Sequence, residues 1–137
     1  MQDKVFTLAE ANALVPRLSI LMSRLQPAVL ALRAAVEKLA NGKAAETSID
    51  EWFQQDPDVR EQALLVRDLL GELQAFGVQI KGLELGLLDF PADLGGERVL
   101  LCWQYGEDEV SFFHSPDEGF AGRRPLDPSA VAARYLQ

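Results

Sequence analysis

Cysteine and histidine each occur once, as Cys102 and His114. A single thiol excludes an internal disulfide and any cysteine-rich zinc or iron–sulfur cluster. Positive charge is also scarce: 13 basic side chains face 21 acidic ones, for a net charge of -8. Without a cationic surplus there is little counterion release, so neither nucleic acid nor an anionic membrane is an expected partner. Arg17, Arg24 and Arg33 on the first helix read as a solvated face, not as a nucleic-acid footprint. Long apolar runs are missing. The densest, Val99-Leu100-Leu101-Cys102-Trp103, falls far short of the ~20 residues of a membrane span. Met1 to Thr7 carries an acid at position 3 and no apolar stretch behind it, so no signal or transit peptide is expected and the cytoplasm is the default compartment. Internal repeats and low-complexity tracts are absent.

What is present fits one globular domain over residues 1–137: the chain is 48% hydrophobic and 25% charged. It divides near Gly77. Residues 1–76 read as helix and residues 77–137 as strands, turns and loops. Thr7-Leu8-Ala9-Glu10 is a capping box, with Phe6 placed to staple onto Ala11. Leu14, Leu18, Leu21, Leu25, Ala28, Leu32, Ala35 and Leu39 then recur at alternating spacings of four and three, a coiled-coil-like seam facing a partner helix. Pro16 and Pro27 each remove a backbone hydrogen bond. The expectation is a short leading helix, then a long one from Pro16, bent near Pro27 and ending at Asn41-Gly42. A polar connector over 41–56 holds a weaker capping box, Ser48 to Glu51, followed by Trp52-Phe53. Asp56-Pro57 opens the second helix, and Phe76-Gly77 closes it. The two form an antiparallel hairpin whose apolar supply suggests a homodimer.

Beyond Gly77 the period shortens. Val78-Gln79-Ile80 alternates like a short strand, Leu87 to Pro91 is another apolar run with one acid inside it, and Asp93 to Gly96 is a turn. Val99–Tyr105 and Glu109–His114 pair around Gly106-Glu107-Asp108. The 99–103 run is apolar on both faces, which marks a central or doubly covered strand. A glycine-rich loop over 115–125 and a short terminal helix from Asp127-Pro128 complete an α+β domain with a small, mainly antiparallel sheet.

Three features carry chemistry. His114 ends a strand beside Asp117 and Glu118, and Asp89 is a lone acid in an apolar run. Asp89, His114 and Glu118 make a candidate ligand set for a divalent metal ion, or a base, His114, with an orienting acid. The competing reading makes His114 a strand cap. Arg123 and Arg124, beside two glycines, would clamp a carboxylate or phosphate through their planar forks; otherwise they pair with Asp117, Glu118 or Asp127. Asp89 is costly to bury unpaired, so Arg123 or His114 is its natural partner. Cys102 reads as inert core thiol, because a reactive one needs an electropositive, accessible setting.

Asp89-Phe90-Pro91, Leu101-Cys102-Trp103, Gly106-Glu107, His114 and Glu118-Gly119-Phe120-Ala121-Gly122-Arg123 with Pro125 together resemble a bacterial family, domain of unknown function 2203. Phe6-Thr7-Leu8, Glu10-Ala11-Asn12 and Gly77-Val78-Gln79-Ile80-Lys81 extend the resemblance across roughly residues 6–126. It implies a compact bacterial protein and assigns no reaction. The residues themselves lean toward a non-enzymatic, self-associating interaction or scaffold protein with a protein partner. The alternative is a metal- or anion-binding protein, and in its strongest form an enzyme, with its site at Asp89, His114, Glu118, Arg123 and Arg124.

Overall fold

The structure is a computed structural model that describes residues 4–42 and 56–126. Helix α1 spans Leu8–Gly42 and α2 spans Pro57–Ala75. They precede five strands, β1 (Gln79–Gly82), β2 (Leu87–Leu94), β3 (Glu97–Gln104), β4 (Phe112–His114) and β5 (Arg124–Pro125). The strands form one sheet in sequential order, and every pairing is antiparallel. The α+β arrangement is therefore the one read from the sequence. The helices expected to open at Ser48 and Asp127 lie outside the described residues.

Both helix starts follow their caps. The Thr7 amide donates to Glu10 Oε1 (3.0 Å), and the Glu10 amide donates to Thr7 Oγ1 (3.1 Å). Asp56 Oδ1 accepts from the amides of Asp58 (2.9 Å) and Val59 (3.2 Å), with Pro57 in the first turn. At the end of α2, Gly77 takes a φ of 89°, and its amide closes on the Gln74 carbonyl at 2.9 Å. Its left-handed φ suits glycine best.

The expected break in the first helix is corrected. α1 is one 35-residue helix that contains both Pro16 and Pro27. Each proline is exposed, while Val15, Leu18, Leu25 and Ala28 around them are buried. An interior proline costs about 3 kcal/mol. Each buried apolar side chain returns about 1.5–3 kcal/mol, so the stripe on both sides of each proline holds the helix in one piece.

The sheet has two differently occupied faces. Leu88, Phe90, Leu101 and Trp103 are fully buried in one core cluster with Leu18, Met22 and Leu25 of α1 and Leu73 of α2. The heptad seam of α1 from Leu14 to Leu32 is thus used within the chain. Phe6 joins the same cluster, its ring edge-on to Phe90 at 5.3 Å and its amide donating to the Pro91 carbonyl at 2.7 Å. The alternating residues Leu87, Asp89, Leu100 and Cys102 are also buried, but they lie outside that cluster. Strand alternation sends them to the opposite face. β3 lies between β2 and β4 and is buried on both faces, as its sequence indicates.

Two boundaries differ from expectation. β2 and β3 run up to a two-residue turn, Gly95-Gly96, with φ of 59° and 85°, the geometry of a tight hairpin. β4 begins at Phe112, three residues later than the period suggests. The amide of Val110 is taken by Asn12 Oδ1 of α1 at 2.6 Å, and the Ser111 carbonyl accepts from Leu126. The segment before Phe112 is therefore fastened to the helix and to the chain after β5. No helix among the described residues is long and apolar enough to cross a membrane.

Candidate metal centre

The ladder registers place three donor side chains together. Asp89 of β2 lies opposite Cys102 of β3. His114 of β4 lies opposite Leu100, two residues before Cys102 and on the same face. All three are buried. One ligand atom from each lies within 4.8 Å of the other two.

Hydrogen bonding fixes the roles of the imidazole nitrogens. Nδ1 of His114 lies 2.8 Å from the Ser115 carbonyl. A carbonyl only accepts, so Nδ1 carries a hydrogen. Nε2 then faces Asp89 Oδ2 at 3.0 Å across a single shared proton. A ring held by a backbone carbonyl at one nitrogen, with the other aimed at the site, is the usual orientation of a metal-ligating histidine.

Asp89 makes this contact with one oxygen only. Oδ1 is buried and has no hydrogen-bond partner among the described residues. Burial pushes the Asp89 carboxyl above its usual range, and the His114 and Lys81 charges and the His114 and Cys102 hydrogen bonds pull against it. Burial also pushes the Cys102 thiol up to about 11, with the Asp89 charge adding to it and Arg123 opposing it. Without a cation the site disfavours both anionic forms; a cation reverses that preference.

The other sequence candidates are placed differently. Glu118 lines the same pocket but is not one of the three clustered donors: its Oε1 accepts from Ser115 Oγ (2.9 Å) and the Ser115 amide (3.3 Å). Those two bonds, side chain first, hold its carboxyl below the usual range. The two arginines diverge. The Arg123 guanidinium lies between the Phe112 and Phe120 rings, 3.9 and 4.3 Å from their centroids, and contacts both Glu107 oxygens at 3.3 Å. Arg124 lies over Phe113 at 4.9 Å and reaches Glu118 at 3.5 Å. They do not converge on one anion. Asp89 takes His114 as its partner, and Arg123 takes Glu107.

Cys102 is the residue that sequence reasoning set aside. Its signal lay in the turn. A two-residue loop at Gly95-Gly96 sets Leu94 opposite Glu97, and five pairs further back it sets Asp89 opposite Cys102. The apolar neighbours of Cys102 hid a register that the glycines had already specified.

The three donors lie at a pocket of about 310 Å³. Leu87 and Phe120 supply its apolar lining, while Lys81, Glu118 and Gly119 supply the rest. One nitrogen, one sulfur and one carboxylate oxygen form a mixed set suited to a borderline ion such as Zn²⁺. Three protein ligands beside an open cavity is the arrangement of zinc sites that keep a position for water or ligand, whereas structural zinc sites close with four.

No curated protein and no solved structure matches the chain. A family model described as uncharacterized conserved protein (DUF2203) matches residues 4–126. That span covers every residue of the site and all of the described residues, and the chain belongs to this family.

Proposed function

We propose that the protein binds one divalent ion of the zinc type through Asp89 Oδ, Cys102 Sγ and His114 Nε2. The observation that carries this reading is the unpartnered, buried Oδ1 of Asp89 beside a thiol and an oriented imidazole. A purely structural Asp–His pair leaves that oxygen with no donor but the weak Cys102 thiol beside it, and an unsatisfied buried acceptor costs about 1–3 kcal/mol. A metal ion supplies it. Binding releases the proton between His114 and Asp89 and the thiol proton of Cys102, so affinity falls as pH is lowered. A single buried thiol also fits the reducing cytoplasm proposed as the compartment.

Calorimetric titration of the metal-free protein with Zn²⁺ tests the reading. One equivalent per chain is expected. Cys102→Ser, Asp89→Asn and His114→Ala should each weaken binding by tenfold or more, with folding checked by circular dichroism. Unchanged zinc affinity in folded Cys102→Ser and Asp89→Asn contradicts it.

Self-association is a second reading, with one observation behind it. Leu30 and Leu85 are 59% and 61% exposed, and they flank depressions between α1 and the β1–β2 turn that share Val29 and Leu83. A scaffold role for the heptad seam is less favoured, because the seam from Leu14 to Leu32 packs into the protein's own core. Native mass spectrometry distinguishes a dimer from a monomer, and loss of the dimer in Leu30→Glu would locate its interface.

A further inference from the structure

Resting on the metal reading, we infer that the open position of this centre takes a small carboxylate with a short apolar tail. The site's own charges argue for an anion. A divalent ion held by one thiolate and one carboxylate is locally neutral. Lys81 lines the same pocket and is exposed. It makes no ion pair among the described residues. Glu118, the remaining acid of the pocket, is engaged by Arg124 and Ser115. The lysine is thus the uncompensated charge, and a monoanion completes the balance.

The walls argue for the tail. Leu87 is buried and Phe120 half exposed, and both contribute apolar surface to the pocket. Phe120 is also stacked by the Arg123 guanidinium, which Glu107 in turn holds, so the aromatic wall is braced from within the chain. A volume of about 310 Å³ lies at the small end of ligand sites, ~300–1,000 Å³. A carboxylate group reaches the ion and Lys81 while a short alkyl chain lies on Leu87 and Phe120. Inorganic phosphate shares the oxyanion chemistry but leaves the apolar walls without a partner.

The test uses the Co²⁺-loaded protein, whose visible bands respond to a change of ligand at the metal. Sodium butyrate is titrated into wild type and Lys81→Gln, with inorganic phosphate as the comparison anion. The expected result is a saturable change with butyrate, weakened about tenfold or more in Lys81→Gln, and a much weaker response to phosphate. A wild-type cobalt spectrum indifferent to butyrate overturns the inference and leaves the metal centre standing. Equal butyrate affinity in Lys81→Gln, or phosphate binding as tight as butyrate, overturns it as well. No cobalt spectrum at all overturns the metal reading, and the inference with it.

Discussion

Glu10 and Asp89 are both carboxylates, and their surroundings push them in opposite directions. Asp89 is buried on the sheet face with one oxygen unsatisfied, and its carboxyl is raised. Glu10 is exposed in the first turn of α1. It is held below its usual range chiefly by the Thr7 amide and then by the Thr7 hydroxyl. The sign for Glu10 follows from linkage. The folded state favours its ionised form, so its contribution is complete above the unfolded glutamate pKa, ~4.3, and is lost as pH falls through the lower folded value. The urea midpoints of wild type and Glu10→Ala should therefore differ at neutral pH and converge as pH falls below the lowered folded value. A difference that persists in acid contradicts the capping account. Thr7→Ala removes the other half of the box and should cost about 1 kcal/mol in the same assay.

At the scale of elements, the strand pairs decide what the site contains. The periodicity change at Gly77, the caps at Thr7 and Asp56 and the apolar β3 were legible because each is a local pattern with a local cause. The site was half legible. Asp89 and His114 stood out as polar groups in apolar or strand-end positions. Cys102 did not, because a thiol in a hydrophobic strand looks like packing until the Gly95-Gly96 turn is used to count register. Nor was the divergence of Arg123 and Arg124 visible, since it depends on Arg124 entering β5 opposite Phe113 while Arg123, before the strand, stacks on Phe112 and Phe120. The uninterrupted α1 was missed for another reason: a local rule about proline lost to tertiary burial. Two substitutions test the framework around the site. Asn12→Ala leaves the Val110 amide without its acceptor and should cost about 1–3 kcal/mol by chemical denaturation. Gly86 has a φ of 69°, and a Cβ there would lie 2.6 Å from Tyr105 Cβ. Gly86→Ala should thus destabilise by roughly 2 kcal/mol or more. Its amide closes the turn on the Leu83 carbonyl, and its carbonyl accepts from the Tyr105 amide just after β3, so a neutral result would mean that this tie is slack.

The molecule as a whole is a sheet with two tasks. One face closes on α1 and α2 and carries the hydrophobic core. The other buries a nitrogen, a sulfur and a carboxylate beneath a loop that Arg123 pins through Phe112, Phe120 and Glu107. The first face gives the second its rigidity, because the strands that bear the donors are the strands packed on the helices. The central claim is that Asp89, Cys102 and His114 hold one ion together. The most direct measurement is the near-ultraviolet absorption of the protein titrated with Co²⁺, where a cobalt–thiolate bond gives an intense charge-transfer band. The account predicts that band at one equivalent in wild type, and its loss in folded Cys102→Ser. A wild-type protein that takes up cobalt without the band, or a Cys102→Ser variant that retains it, would contradict the account.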